Sequence, residues 1–203
     1  MKISSFSRIL VGAFIPVLLL CSSAQADMTH YKAMLTGANE APANVSLGTG
    51  HADVYFDNVA NTLRIVVLFS NLTTGVTAAH IHAATLLANT GTASVATPTP
   101  SFPGFPSGVT AGSYDQIFDL SLASSFRAGY ITANGGTADS AANALIGALN
   151  DQKAYLNIHT STYPGGEIRG FLHEVPDSGS TAVLLLLPMA ALIGYRRSRR
   201  LRA

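Results

Sequence analysis

Two histidines separated by a single residue, His80 and His82, are the residues of this chain best placed for chemistry, together with a later histidine, His159. Successive side chains of a β-strand point to opposite faces, so a strand over 77–83 puts His80 and His82 on the same face. If the strand that carries His159 lies beside it, three imidazoles share that face. Three histidines are a recurrent ligand set for zinc and for copper. The alternative is that they form hydrogen bonds within a polar seam of the domain.

Glu167 and Arg169 lie on the segment after His159 and share one face of a predicted strand. Glu167 could accept a hydrogen bond from a ligating imidazole and so orient it. Alternatively, Glu167 and Arg169 pair with each other or across the hairpin and set its register. Elsewhere the chain contains no phosphate-binding glycine loop, nucleophile elbow or zinc-protease helix motif. We therefore expect no enzymatic activity, with a metal-dependent redox activity as the alternative.

Short segments of alternating apolar and polar residues must position these side chains. They predict strands, separated by Gly, Pro, Asn and Asp turn residues, at 29–36, 51–56, 63–69, 77–83, 114–122, 154–160 and 167–174. One helix is predicted, from an N-cap at Ser140 to Asn150. The proline-rich stretch 89–112 predicts a long surface loop. This pattern indicates an all-β fold, an antiparallel immunoglobulin-like or Greek-key sandwich or a flattened barrel with one short helix.

The first 26 residues are typical of a secretory signal peptide. A positive start is followed by an apolar helix-forming run over 9–20, and Ala24 and Ala26 form a small-x-small cleavage site. The only cysteine, Cys21, lies inside this segment. The mature domain, predicted to span residues 27–174, therefore has neither a disulfide nor a thiol nucleophile.

The last 29 residues, 175–203, combine a short motif, an apolar helix and a basic tail. The motif is Val175, Pro176, Asp177, Ser178 and Gly179, and the predicted transmembrane segment is 181–195. Its apolar run, 182–194, spans roughly 20 Å as a helix, which is shorter than the ~30 Å hydrocarbon core. The arginines that follow favour the cytoplasmic side. We expect this segment to anchor the chain in the membrane at least transiently.

The charge of the central domain excludes one class of partner. Residues 27–175 hold five basic and ten acidic side chains, for a formal net charge of −5. A protein that binds nucleic acid needs a basic footprint, so no nucleic-acid partner is expected.

Two resemblances to known families follow from these motifs. The 175–203 segment resembles PEP-CTERM sorting signals of the Val-Pro-Asp-Ser-Gly variety, which implies recognition by an exosortase-type processing enzyme. The segments 48–52, 79–82 and 155–170, the last reading YLNIHTSTYPGGEIRG, resemble the CHRD domain. That resemblance implies an all-β extracellular module. The expected function is an exported surface- or matrix-associated module that engages a cell-envelope or matrix protein or polysaccharide. The alternative is a secreted copper- or zinc-binding protein that uses His80, His82 and His159.

Overall fold

The computed structural model describes residues 28–176, within which eight β-strands and two α-helices form. The strands are β1 (Met28–Thr36), β2 (Thr49–Asp57), β3 (Thr62–Ser70), β4 (Val76–His82), β5 (Gly112–Asp119), β6 (Tyr155–Thr160), β7 (Ile168–Phe171) and β8 (His173–Glu174). The helices are α1 (Ala128–Ala133) and α2 (Ala138–Asn150).

The strands form one antiparallel sheet in the order β4-β6-β7-β1-β2-β3-β5, and β8 pairs with β1. The sheet curls into a half-barrel. The two edge strands, β4 and β5, approach each other where β4 begins. There the Val76 N–H donates a hydrogen bond to the Val109 carbonyl, just ahead of β5 (3.0 Å). The all-β antiparallel fold expected from the sequence is confirmed.

Alternation along each strand divides the sheet into an apolar face and a polar face. In β4, Ala79 and Ile81 are fully buried and belong to the core, and so are Leu156 and Ile158 of the neighbouring β6. Side chains at the intervening positions point away from the core, because a strand alternates with a period of two. All six histidines of the chain lie at such intervening positions of β1, β2, β4, β6 and β8.

The helices differ from the prediction in number and in starting point. Helix α2 begins three residues earlier than expected, because Thr137 is its N-cap and forms a reciprocal capping box with Ser140. The predicted Ser140 cap was therefore wrong, although the helix ends at Asn150 as expected. Helix α1 was not predicted, since its six residues, AGYITA, include a glycine and two β-branched residues with weak helix propensity.

The predicted proline-rich loop follows the free edge of β4 and also reaches into the core. The Ala96 and Phe102 N–H groups donate to the carbonyls of Ile81 and Ala79 (2.9 and 3.1 Å). Phe102 and Phe105 are buried and pack against the aromatic ring of Tyr114. The loop thus covers the edge of the sheet beside the histidines.

Neither helix within residues 28–176 is long and apolar enough to cross a membrane. The predicted signal peptide (1–26), the predicted transmembrane segment (181–195) and the sorting residues Asp177, Ser178 and Gly179 lie outside the described residues.

Candidate metal centre

The three predicted ligands come together because β4 and β6 are neighbours. In the antiparallel register, Ala78 lies opposite His159 and His80 lies opposite Asn157, so His159 is the diagonal neighbour of His80. The ring centroid of His80 lies 5.8 Å from that of His82 and 5.4 Å from that of His159. The sequence prediction that these histidines share a face is confirmed by this register.

Each imidazole uses one nitrogen to donate a hydrogen bond to a backbone carbonyl. His80 Nε2 donates to the Pro100 carbonyl at 2.7 Å and His82 Nδ1 donates to that of Ala93 at 2.9 Å. His159 Nδ1 donates to the Pro164 carbonyl at 3.0 Å. Because a carbonyl only accepts, these outer nitrogens carry the proton, and the inner nitrogen of each neutral ring has a lone pair.

The inner nitrogens are His80 Nδ1, His82 Nε2 and His159 Nε2. All three are buried and have no hydrogen-bond partner among residues 28–176. One ring nitrogen from each histidine lies within 4.8 Å of the other two. A point equidistant from three nitrogens 4.8 Å apart lies roughly 2.8 Å from each of them, whereas a Zn–N bond is ~2.0–2.1 Å long. Binding an ion therefore requires each nitrogen to move inward by less than about 1 Å.

Burial keeps the three rings in the protonation state that a metal requires. It lowers the pKa values of His80 and His159 below the usual histidine value, and it lowers the pKa of His82 to about 4. The hydrogen bonds to the carbonyls oppose this effect without cancelling it. The imidazoles are therefore neutral at pH 7, as nitrogen ligands must be.

Further polar and aromatic groups surround the histidines on the same face. Tyr155 stacks on His82 with ring centroids 4.8 Å apart, and the Arg169 guanidinium lies 4.7 Å from the centre of the Tyr155 ring. Asn157, opposite His80, donates from Nδ2 to Glu40 (2.8 Å), and its Oδ1 is buried without a partner among the described residues. A Cβ at Gly166 would lie 2.3 Å from Asn157 Nδ2, so only glycine allows this approach.

Glu167 does not support a histidine, and this part of the prediction was wrong. Its side chain is fully buried and accepts hydrogen bonds from the hydroxyls of Ser46, Thr73 and Thr160 and from the Thr73 N–H. Burial alone would raise the pKa of Glu167, but these hydrogen bonds outweigh it and hold the pKa below its usual value. Glu167 therefore ties together the segment just before β2, the β3–β4 turn and β6.

Sequence reasoning missed the groups that orient the histidines. Two of the acceptors, the carbonyls of Ala93 and Pro100, come from the loop that follows β4, and the third, that of Pro164, comes from the β6–β7 turn. A backbone carbonyl is present at every residue, so no sequence signal marks these three. Glu40 was also missed. Its carboxylate lies 3.9 Å from Arg169 Nε, so Arg169 faces a residue far away in the sequence rather than Glu167.

Comparison with known protein families identifies the central domain and the C-terminal segment. The profile of the CHRD domain matches residues 31–172, and that of the VPDSG-CTERM motif matches residues 174–199. No curated protein and no solved structure matches the chain. The VPDSG-CTERM motif is a sorting signal that implies export, cell-surface association and processing by an exosortase-type enzyme. Because the first match covers well over half of the chain, this protein belongs to the CHRD domain family.

Proposed function

We propose that this exported CHRD domain binds one copper or zinc ion through His80, His82 and His159. The proposal is carried by the three inner nitrogens, which are buried and lack a partner among residues 28–176. The three histidines also offer one ring nitrogen each within 4.8 Å of the other two. One buried acceptor left unpaired costs roughly 1–3 kcal/mol. A single cation accepts a lone pair from all three nitrogens at once and removes that cost.

The chemistry of the donors favours these two metals. Imidazole nitrogens suit copper and zinc, whereas magnesium and calcium prefer oxygen ligands. Each ring is already held by a hydrogen bond from its outer nitrogen to a carbonyl, which is the usual arrangement of a histidine that binds a metal. The ligand set therefore needs little rearrangement beyond closing inward.

We infer that the centre binds a metal without catalysing a reaction. The three inner nitrogens are buried, and the neighbouring side chain, Asn157, offers a further buried oxygen without a partner in the described part of the chain. Catalytic metal sites keep a position open to substrate, whereas structural sites are closed by protein groups. Oxygen consumption by the copper-loaded protein in the presence of ascorbate tests this inference. Consumption faster than that of the same copper concentration without protein would contradict it.

Metal content measured by elemental analysis tests the binding itself. The full chain, purified in mild detergent without a histidine tag and incubated with each ion, is expected to retain about one copper or zinc ion. His82→Leu and His159→Leu replace half-buried rings and should each lose the ion. The matched control, His173→Leu, changes an exposed histidine of the same sheet face and should retain it. A metal-free wild type, or metal retained by both ligand variants, would refute the proposal.

We further propose that the domain engages a cell-envelope or matrix protein or polysaccharide after the exosortase-type enzyme has acted on its tail. The sorting motif supports this proposal, since it directs the chain to the cell surface. Asp177→Ala is expected to leave a longer chain in the membrane fraction, measured by immunoblot of membrane and surface fractions. Asp139→Ala, at an exposed position of α2, is the control and should behave as the wild type. Identical fractionation of the two variants would contradict this proposal.

A further inference from the structure

A cavity of about 800 Å³ opens on the polar face of the sheet, between β1, β7 and the loop at Asn89 and Thr90. Its size lies within the range of ~300–1,000 Å³ that is usual for small-molecule sites. None of the three histidines of the metal centre lines it. It is therefore a second site, and an inference about it does not depend on the metal.

Two cationic side chains line this cavity although the domain is acidic. Lys32 and Arg169, two of the five Lys and Arg residues of the central domain, line it together with His51 and His173. No carboxylate side chain is among its lining residues in the described part of the chain. Asp53 lies behind the wall, 3.8 Å from Lys32 and hydrogen-bonded to His51. Arg169 is thus the cation best placed to attract an anion.

Arg169 is held rigidly by two of its five N–H groups, and neither N–H group of its Nη2 has a partner among the described residues. It is only 5% exposed, and its Nε and Nη1 donate to the carbonyls of Asn39 and Gly91. Its Nη2 has no partner within residues 28–176 and is not fully buried, and the Arg169 side chain is one of those that line the cavity. The nearby carboxyl is that of Glu40, 3.9 Å from Nε. Burial raises the pKa of Glu40 to about 7, so Glu40 neutralises Arg169 incompletely at neutral pH.

We propose that this cavity binds a uronic acid unit of an acidic polysaccharide, with its carboxylate on Arg169 Nη2. A guanidinium N–H donates a strong, charge-assisted hydrogen bond to a carboxylate oxygen, and a cation that is nine-tenths buried gains most from such a counter-charge. Lys32 stands at the rim and adds a second attraction. The carboxylate is therefore the feature of the ligand that the site recognises.

The rest of the lining favours a sugar as the body that carries this carboxylate. Met34 and Phe171 form apolar walls suited to the C–H face of a pyranose ring, and the amides of Asn39 and Asn89 can bond its hydroxyls. The cavity lies on the polar face of the sheet, where neighbouring strands already pair with one another. An acidic peptide cannot add to the sheet as a strand there, so the geometry favours the saccharide.

Isothermal titration of the full chain in mild detergent tests the proposal with three probes, the trisaccharide of galacturonic acid, the neutral trisaccharide of galactose and a glutamate tripeptide. We expect only the uronate to bind, and more weakly as salt rises, because the attraction is electrostatic. Lys32→Ala alters a half-exposed side chain and should weaken binding about threefold. Arg169→Lys keeps the charge but removes the planar guanidinium that positions Nη2, and it should weaken binding at least tenfold.

Two controls keep the outcome decisive. Arg64→Ala removes an exposed cation of β3 that pairs with Asp115 outside the cavity, and His159→Leu disables the metal centre. Both should bind the uronate as the wild type does. Equal binding of the neutral sugar or the tripeptide, or equal loss with Arg64→Ala and Lys32→Ala, would overturn the proposal. A failure of metal binding alone would leave it standing, so the two sites are tested separately.

Discussion

Tyr155 lies flat against His82, with ring centroids 4.8 Å apart and only 4° between the ring planes. The Tyr155 hydroxyl accepts a hydrogen bond from the Ala93 N–H at 3.3 Å, and the Ala93 carbonyl in turn accepts one from His82. The tyrosine therefore braces both the imidazole and the loop residue that orients it. This contact provides an optical probe of the proposed metal centre.

We expect Cu²⁺ to quench tyrosine fluorescence in proportion to the fraction of centre occupied. The chain has seven tyrosines and no tryptophan, so emission from Tyr155 is not masked by an indole. Tyr155→Phe should remove most of the quenching without removing the metal. Tyr55 stacks on His30 in a similar way at 4.3 Å, away from the centre, so Tyr55→Phe is the matched control and should quench as the wild type does. Equal quenching in both variants would contradict the assignment.

The buried Glu40 should make the protein less stable as pH rises from about 4.5 to 7. Burial raises the pKa of Glu40 from 4.5 to about 7 against the lowering effect of Arg169. The folded state thus holds this proton more tightly than the unfolded chain, and the stabilisation, full below pH 4.5, is lost as pH rises through 7. Its size is on the order of 2–3 kcal/mol.

Comparison with Glu40→Gln isolates this effect, because the other groups titrate alike in both proteins. The wild type minus variant difference in the free energy of unfolding, measured by chemical denaturation from pH 4 to 8, should fall across that range. A difference that stays constant with pH would show that Glu40 titrates normally.

Glu167 should affect stability with the opposite pH dependence. Its pKa is held below the usual value by the hydroxyls and the N–H that donate to it. The stabilisation is therefore present at neutral pH and is lost as pH falls through the folded-state pKa, below 4.5. Glu167→Gln turns an amide NH₂ toward these donors and should cost about 2–3 kcal/mol at pH 7. Denaturation midpoints of Glu167→Gln and of the exposed control Glu174→Gln provide the measurement.

Metal affinity distinguishes a structural role of Glu167 from a role in orienting the metal ligands. Because Glu167 bonds to hydroxyls and not to a histidine, folded Glu167→Gln should bind copper or zinc as tightly as the wild type does. A tenfold loss of affinity in the folded variant would instead indicate that Glu167 acts on the ligands.

Phe102 should couple the core to the metal centre. Its ring is 2% exposed in the core, and its segment carries the carbonyl of Pro100 that holds His80. Phe102→Ala should cost about 3–5 kcal/mol of stability. It should also weaken metal binding roughly 10–100-fold, because loss of an orienting group has that effect. Leu145→Ala, a buried change in α2, is the control and should lower stability without this loss of affinity. Equal affinities in the two folded variants would contradict the coupling.

Much of this architecture was predictable from local patterns. Alternation along β4 and β6 placed His80, His82 and His159 on the polar face, because a strand has a strict period of two. The Gly, Pro and Asn clusters located the turns, and the C-terminal motif identified the sorting signal. Prediction from residue types was less reliable where two residues can take the same role. At the start of α2, both Thr137 and Ser140 can cap a helix, and Thr137 does so.

The neighbours of β4 were decided by tertiary structure. The sheet places β6 beside β4, and only this pairing brings His159 diagonal to His80. The same sheet sends Glu167 into a pocket of hydroxyls and brings Glu40 to Arg169 across more than a hundred residues. Such contacts depend on how the chain packs as a whole.

The sequence by itself determined that this is an exported, all-β CHRD chain with three histidines on strand faces. The tertiary structure decided that their inner nitrogens converge, buried and without partners in the described residues, while loop carbonyls hold the outer ones. Alternation is a local property of two or three residues, whereas convergence depends on strand order, register and the path of a loop. Those are set by packing over the whole domain.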